Sequence, residues 1–241
     1  MIVLKQTNKN IIWFILSIFS IVFSIFALTA SLIITNMHEN ASSRIYKESL
    51  KSVCEIKATF DAGGEENDYG SAVMVSDNLF VTNAHVIAHK KGEVLDEANS
   101  CFLRFGFEEE YHSASILRYD YDIDIALITI EEKIKSTKPI TFATKNINGG
   151  DICYAVGNGL NHGIGISSGI ISNPLVEINS GTTRKVIQCD LTINSGNSGG
   201  ALLDSDGHLI GITTFRLKDN YGNVIHGTSY SVPCSEFKHM L

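Results

Sequence analysis

Three residues of this chain carry the side chains that an acyl-transfer reaction requires. His85 is the fourth residue of a Thr-Asn-Ala-His-Val segment, Asp124 opens an Asp-Ile-Ala-Leu segment, and Ser198 is the centre of Gly-Asn-Ser-Gly-Gly. A serine hydroxyl becomes nucleophilic when an imidazole takes its proton and a carboxylate fixes the imidazole tautomer. The sequence therefore predicts a serine protease, with His85 as general base, Asp124 as orienting carboxylate and Ser198 as nucleophile.

The glycines around Ser198 predict the second part of such a site. A turn with few side chains allows the backbone N–H groups of Gly196 and Ser198 to converge on one point. There they stabilise the oxyanion of the tetrahedral intermediate, and the loss of one such donor typically costs about 3 kcal/mol. We therefore expect Gly196 and Ser198 to form an oxyanion hole.

Two other acidic residues, Asp120 and Asp122, compete with Asp124 for the carboxylate position. Only Asp124 leads directly into the apolar run 125–130, where a carboxylate would be buried beside an imidazole. We expect Asp124 in this position and keep Asp122 as the alternative. Each of the three predicted residues also has a structural explanation by itself, and it is their ordered combination that favours catalysis.

The rest of the sequence predicts the elements that position these residues. Short β-rich runs alternate with turn signals from residue 53 onward, and no helical periodicity recurs among them. This pattern indicates an all-β barrel or sandwich. The predicted strands are 53–60, 71–75, 79–82, 101–105, 125–130, 152–156, 166–172, 186–191, 201–203, 208–214 and 228–232.

A segment with several lysines, a proline and two adjacent glycines, residues 133–151, divides these strands into two halves. His85 and Asp124 belong to the first half, and Ser198 belongs to the second. We therefore expect the site to lie in the cleft between the two halves.

The N-terminal region predicts a membrane segment. Residues 11–35 are uncharged, and as a helix they would span about 37 Å, against roughly 30 Å for the hydrocarbon core of a bilayer. A cleaved signal peptide is the alternative, although its apolar region is usually about 7–15 residues long. We predict a cytoplasmic tail at 1–10, a transmembrane anchor at 11–35, a stem at 36–48 and a protease domain at 49–241 outside the cytoplasm.

Small residues recur along this segment at intervals of three and four, namely Ser17, Ser20, Ser24, Ala27 and Ser31. Such a stripe lets two membrane helices approach closely, which would favour a homo-oligomer. The alternative is that serine is simply tolerated in a very apolar helix.

Charge and composition exclude other functions. The chain has 19 Lys and Arg against 26 Asp and Glu, a net charge of −7, so nucleic acid is not an expected partner. No group of residues has metal-ligand spacing, and we expect neither a metal nor a cofactor. Residues 204–207 resemble the start of a calcium loop, but Phe215 stands where that loop needs a glutamate, so a hairpin turn is predicted.

The five cysteines are scattered singly along the chain. Cys54, Cys153 and Cys189 lie in apolar strand-like runs, which predicts small buried hydrophobic side chains. At least one thiol is unpaired within the chain, and the sequence leaves a single disulfide open.

Taken together, these motifs resemble those of the HtrA-like (high-temperature-requirement) family of bacterial trypsin-like serine proteases. The matching segments are 70–73 with 82–86, 124–128, 155–158 with 168–172, and 194–214. The resemblance implies a chymotrypsin-like double β-barrel that hydrolyses unfolded or damaged polypeptides, frequently in the cell envelope. It also implies that Ile193, Ser195, Thr213 and Ser229 line the pocket for the substrate side chain before the cut.

Two features depart from that family, and one residue differs from its digestive relatives. PDZ domains usually follow its protease domain, whereas this sequence stops soon after Pro233, so we expect regulation by such a domain to be absent or supplied by another chain. Asn197 stands where digestive relatives keep an aspartate that pairs with a newly cut N-terminus, so activation by such cleavage is not expected. The interval between His85 and Asp124 is longer than usual, and its residues 105–111 form either an ordinary loop or a substrate or assembly loop.

Substrate preference follows from the same comparison. Thr192 stands six residues before Ser198, where relatives selective for Lys or Arg carry an aspartate. A cation buried there would lack a partner, at a cost of several kcal/mol of desolvation, so we expect cleavage after small or medium uncharged residues. The substrate is expected to bind as an added strand beside residues 212–215. The alternative function is a catalytically silent module of this fold that binds or senses peptides.

Overall fold

The computed structural model describes residues 2–61, 66–92, 94–106, 108–179, 183–215, 225 and 227–241, and the side chains of 1–10, 36–40, 91, 179 and 215 lie outside this description. The chain forms two compact units, Met1–Arg44 and Ile45–Leu241. Helix α1 runs from Ile2 to Ser49. Its segment Ile11–Thr35 is long and apolar enough to cross a membrane.

Polar side chains of this apolar segment bond to its own backbone. The hydroxyl of Ser17 donates to the Trp13 carbonyl at 2.7 Å, and the hydroxyl of Ser24 donates to the Ser20 carbonyl at 2.8 Å. Such bonds satisfy a serine inside an apolar helix without any partner helix.

The unit Ile45–Leu241 contains two closed barrels of six antiparallel strands each, ordered β1-β2-β3-β8-β7-β6 and β10-β11-β14-β13-β12-β9. The first barrel consists of β1 (Val53–Phe60), β2 (Glu66–Ser76), β3 (Leu79–Thr82), β6 (Ser100–Phe105), β7 (His112–Asp120) and β8 (Ile125–Ile130). The second consists of β9 (Ile152–Gly157), β10 (Gly165–Asn179), β11 (Thr183–Cys189), β12 (Ala201–Leu203), β13 (Leu209–Phe215) and β14 (Ser229–Pro233).

Smaller elements complete this unit. A short helix α2 (Ala84–Ile87) and a separate hairpin of β4 (Ala88–Lys91) and β5 (Val94–Glu97) follow β3, and helix α3 (Cys234–Phe237) follows β14. Closure of each barrel leaves no unpaired edge strand, and this is how antiparallel folds generally avoid edge strands that could pair with another chain.

Alternate side chains of strand β8 explain its uninterrupted apolar run. Ala126, Ile128 and Ile130 belong to a hydrophobic cluster of first-barrel residues and of the segments next to them, such as helix α2. Ile125 and Leu127 point the other way, into a cluster that they share with residues of the second barrel. Because both faces of β8 are buried, the register of β8 with its neighbouring strands is fixed. This register also fixes the position of Asp124, the residue that precedes the strand.

The predicted fold class is confirmed, and residues 131–151, all described, connect the two barrels as expected. They contain one isolated β-bridge, between Phe142 and Leu209, and single backbone hydrogen bonds such as that from the Ile140 N–H to the Met74 carbonyl. Strands β4, β5 and β7 are absent from the sequence prediction. In β7 the burial alternates only between partial and full exposure, so its apolar pattern is weak.

All five cysteines are free thiols and all are buried, as predicted for Cys54, Cys153 and Cys189. Within the expected loop 105–111, residue 107 lies outside the described part of the chain.

Candidate active site

Helix α2 places His85 at the opening between the barrels. Asn83 follows strand β3 and is the N-cap residue of the helix. The helix buries its other three residues, so that only His85 keeps a substantially exposed side chain, at 40%. Nδ1 of His85 lies 3.0 Å from Oδ1 and 2.9 Å from Oδ2 of Asp124. The backbone N–H of His85 also donates to Asp124 Oδ1 at 3.0 Å.

The backbone of Asp124 is held in an uncommon conformation. Its φ is +61°, in the left-handed region that aspartate enters more readily than most residues. The side-chain amide of Asn83 donates to the Asp124 carbonyl at 2.8 Å. The Thr-Asn-Ala-His segment therefore supplies both the imidazole and a clamp on its carboxylate partner.

Asp124 is ionised in this environment. Its side chain is only 4% exposed, and this burial alone would raise its pKa. The attraction of His85, together with hydrogen bonds from His85 and from the hydroxyl of Thr214, outweighs burial and lowers the pKa below its ordinary value. A carboxylate facing Nδ1 fixes the proton of a neutral imidazole on that nitrogen, so Nε2 is left as the basic atom.

Ser198 lies on a turn that only glycines allow. Gly196 has φ +92° and Gly199 has φ +83°. A Cβ added to Gly196 would lie 2.1 Å from the carbonyl oxygen of Asn158, and one added to Gly199 would lie 2.1 Å from that of Ser71. The turn is thus packed directly against the backbone of both barrels.

The hydroxyl of Ser198 donates to the carbonyl of Thr214 at 2.9 Å, and the described contacts include no hydrogen bond between Ser198 and His85. Proton transfer between the two side chains therefore requires rotation about the Cα–Cβ bond of Ser198, whose side chain is half-buried. The structure brings His85 and Asp124 into direct contact and connects Ser198 to them through Thr214.

Two backbone N–H groups are available to an oxyanion. Within the described residues, neither Gly196 nor Ser198 uses its N–H in a hydrogen bond. The carbonyl of Ser195, which shares a peptide unit with the Gly196 N–H, accepts from Leu160 N–H at 2.7 Å. In a planar trans peptide the C=O and N–H point in opposite directions, so this bond sets the direction of the Gly196 N–H.

The four residues predicted to line the substrate pocket differ in exposure. Ile193, Thr213 and Ser229 are buried, whereas Ser195 is exposed. Ile193 packs in the hydrophobic cluster of the second barrel. Oγ1 of Thr213 is buried with no partner among the described atoms, and Ser229 donates to the Cys189 carbonyl at 3.4 Å. None of these four side chains carries a negative charge.

Two contacts of Asp124 are absent from the sequence prediction, although one of the residues, Thr214, lies in the segment 212–215 expected beside the substrate. Thr214 of β13 bonds to Asp124 through its hydroxyl and to Ser198 through its carbonyl. Arg184 of β11 places Nη1 3.9 Å from Asp124 Oδ2 and donates through Nη2 to the Tyr121 carbonyl at 2.9 Å. No motif marks either position, because each approaches Asp124 only through the packing of the two barrels.

The aspartate-rich segment 204–207 is the hairpin turn that the sequence predicts. Asp204 Oδ1 accepts the backbone N–H groups of Asp206 and His208 at 2.9 and 2.8 Å. Asp206 forms an ion pair with Lys145 at 2.9 Å. The side chains of Asp204, Asp206 and His208 offer ligand atoms within 4.8 Å of one another, but backbone N–H groups and a lysine already engage these carboxylates.

Comparisons with known proteins show which proteins this chain resembles. The model of the trypsin-like peptidase domain matches residues 70–212. Serine endoprotease DegS of Haemophilus influenzae is 33% identical over 172 residues, which cover 69% of this chain and 47% of that protein. Protease Do-like 5, chloroplastic, of Arabidopsis thaliana is 32% identical over 167 residues, which cover 64% of this chain and 49% of that protein.

A solved structure, the HtrA-type protease AlgW with a tripeptide, superposes with a TM-score of 0.69 at 27% identity, covering 82% of this chain and 61% of that chain. The chain thus spans about half the length of these two curated relatives.

Proposed function

We infer that this chain, which belongs to the trypsin-like peptidase family, is a serine endopeptidase that cleaves exposed segments of polypeptides. The observation that carries this proposal is the buried Asp124 carboxylate 2.9 Å from Nδ1 of His85. A buried carboxylate in contact with a partly exposed imidazole is the arrangement that a general base requires.

In the proposed reaction, Ser198 Oγ bonds to the scissile carbonyl carbon while Nε2 of His85 takes its proton. The carbonyl oxygen becomes an oxyanion and accepts hydrogen bonds from the N–H groups of Gly196 and Ser198. His85 then gives its proton to the leaving nitrogen, the C–N bond breaks and an acyl-enzyme remains. Water, deprotonated by His85, releases the acyl group and restores Ser198.

We place the substrate alongside strand β13, as an added strand next to Thr214. Strand β12 pairs with β13 as far as Ile212, and Thr213 still bonds to Gly199 and Gly200. On that side of β13, the described backbone-to-backbone hydrogen bonds end at Thr213. Ile193, Ser195, Thr213 and Ser229 line the proposed pocket for the residue before the cut. Extended, unfolded segments suit this mode because a strand gains its affinity from main-chain hydrogen bonds.

The proposal includes a membrane location. Segment Ile11–Thr35 acts as an uncleaved anchor, with residues 1–10 in the cytoplasm and the protease domain on the other side of the membrane. Its length and apolar composition support this assignment. Intact mass of the protein purified from membranes tests it, since a chain that begins after residue 30 would identify a cleaved signal peptide instead.

A fluorophosphonate probe tests the catalytic proposal and separates it from the peptide-binding alternative. We expect the full-length protein in detergent to be labelled, the Ser198→Ala variant to remain unlabelled, and a control at an exposed serine, Ser205→Ala, to label like the parent. An intact folded protein that stays unlabelled even with peptide present would instead support a catalytically silent binder.

A further inference from the structure

The turn that carries Ser198 needs a support that the sequence does not reveal. Asn197 cannot form the ion pair by which an aspartate at this place holds the turn, because an amide carries no charge. In the structure the support is a loop of the second barrel, residues 158–163. Its Leu160 N–H bonds to the Ser195 carbonyl at 2.7 Å and so directs the Gly196 N–H.

This loop holds a backbone conformation that is unfavourable on its own. Leu160 and Asn161 adopt φ values of +60° and +58°. Left-handed residues other than glycine persist only where the surrounding structure determines them. Some other group must therefore stabilise the loop in the form that supports the oxyanion turn.

Asn158 supplies that stabilisation at the start of the loop. It is fully buried. Its Oδ1 accepts the Gly163 N–H at 2.9 Å, which closes the loop. Its backbone N–H donates to Ser71 Oγ at 2.8 Å, and the Ser71 hydroxyl donates to the Gly196 carbonyl at 2.7 Å. Since a hydroxyl has one hydrogen, accepting from Asn158 leaves that hydrogen free for Gly196.

Glu55 determines which way the Asn158 amide points. It lies in the middle of β1 in the first barrel, with its side chain only 5% exposed. Oε2 of Glu55 accepts from Asn158 Nδ2 at 3.1 Å. A reversed amide would place its oxygen against this carboxylate and would turn Nδ2 towards the Gly163 N–H, so both bonds would be lost.

Arg104 makes a buried carboxylate tolerable at this position. It faces Glu55 across the β1–β6 pairing. Nε lies 3.0 Å from Oε1 and Nη2 lies 3.1 Å from Oε2, a bidentate pair. The guanidinium also stacks on the Tyr111 ring at 4.7 Å. Neither Glu55 nor Arg104 contacts His85, Asp124 or Ser198 among the described contacts.

We propose that Glu55, paired with Arg104, is a positioning residue of the oxyanion hole, which acts through Asn158 and the loop 158–163 to aim the Gly196 N–H. The proposal rests on the proposed serine endopeptidase function. It assigns to a first-barrel carboxylate the task of ordering the turn in the second barrel.

The principal test is the double variant Glu55→Leu/Arg104→Leu, which removes the acceptor without leaving a buried unpaired charge. We expect kcat on a fluorogenic peptide to fall by about 10²-fold, as for the loss of one oxyanion donor, with KM within threefold of the parent. Affinity for a peptide boronate, which fills the oxyanion hole, should fall in parallel, whereas affinity of a Ser198→Ala background for the uncleaved peptide should not change.

Glu55→Gln keeps an acceptor oxygen for Asn158 and should recover most of the lost kcat. Glu55→Gln is also the variant to be measured if the double variant does not fold. Glu48→Gln, which removes an exposed ion-paired carboxylate, is the control and should match the parent. A folded double variant with parental kcat and boronate affinity would overturn the proposal, as would equal losses in Glu55→Gln and the double variant.

Hydrogen exchange separates failure of this proposal from failure of the proposed function. The amides of Leu160 and Gly163 should exchange at least tenfold faster in the double variant, while those of β8 keep parental protection. This readout does not require activity. If the parent itself shows no turnover and no fluorophosphonate labelling, the proposed function fails, whereas unchanged exchange at Leu160 and Gly163 rejects the role of Glu55.

Discussion

Replacing Asp124 with asparagine should remove most of the activity and leave the fold intact, because the two side chains match in shape and differ at one atom. Oδ1 accepts the His85 backbone N–H at 3.0 Å, and Oδ2 accepts the Thr214 hydroxyl. A backbone N–H can only donate, so the amide oxygen of the variant should occupy the Oδ1 position. The NH2 group then occupies the Oδ2 position.

The loss of activity follows from what this NH2 group faces. The Thr214 hydroxyl can rotate and accept from it. Nδ1 of His85 lies 2.9 Å from Oδ2 and 3.0 Å from Oδ1. Because the oxygen at the Oδ1 position already accepts the His85 backbone N–H, we expect Nδ1 to accept from the NH2 group. The imidazole proton then moves to Nε2, which can no longer take the proton of Ser198. A wrong tautomer of this kind lowers kcat by about 10⁴, equivalent to about 5.5 kcal/mol at 1.36 kcal/mol per factor of ten.

The assay is kcat/KM on a fluorogenic peptide, measured together with the thermal midpoint of unfolding. Asp122→Asn is the matched control, because Asp122 is the neighbouring exposed aspartate and the alternative that the sequence leaves open. We expect a loss of about 10⁴ for Asp124→Asn and a change below twofold for Asp122→Asn. Activity of Asp124→Asn within tenfold of the parent, or a large loss in Asp122→Asn, would refute the assignment.

Four further predictions concern other parts of the molecule. Both ring nitrogens of His112 face carboxylates, at 2.6 Å from Glu132 and 3.0 Å from Glu108. Burial of the ring lowers its pKa, but the two hydrogen bonds outweigh this effect and raise the pKa of His112 above 6.5. The stabilisation that the charged ring provides is complete below pH 6.5 and disappears as the pH rises through the folded-state pKa. The free energy of unfolding in urea should therefore differ between the parent and His112→Gln at pH 5.5, and this difference should vanish by pH 9. A difference that does not change with pH would contradict the prediction. Burial raises the pKa of Cys101 and Cys234 to about 12, so the native protein should not react with Ellman's reagent at pH 8 and should show five thiols after denaturation; rapid native labelling would disprove their burial. Profiling on a peptide library should give cuts after residues such as Val, Ala or Ile, and dominant cleavage after Lys or Arg would reject the uncharged pocket. Finally, if the serine stripe of the anchor mediates self-association, Ser20→Ile with Ser24→Ile should reduce crosslinked oligomers of the full chain in membranes without affecting insertion, and unchanged crosslinking would show that the stripe has no such role.

The strands that can be predicted are those with a strong pattern of their own. The apolar run Ile125–Ile130 is a strand in both the prediction and the structure, with the same ends. Strand β7 (His112–Asp120) lacks buried side chains, and the β4–β5 hairpin is largely charged and exposed. Hydrogen bonds to neighbouring strands hold β7 and the β4–β5 hairpin in place. Such pairing does not require an alternation of apolar and polar residues, so the sequence gives no signal for these strands.

The sequence alone predicted the chemistry that we propose for this protein, because the residue types at His85, Asp124 and Ser198 and the glycines beside them have few other uses in that order. Its turn signals and strand-like runs, which are local features, indicated an all-β barrel or sandwich, and the resemblance of its motifs to a known family implied the double barrel. Only the tertiary structure decided which groups support those residues. Thr214, Arg184 and Glu55 lie far along the chain from their partners, and their hydrogen bonds exist only after closure of two barrels has brought the strands together.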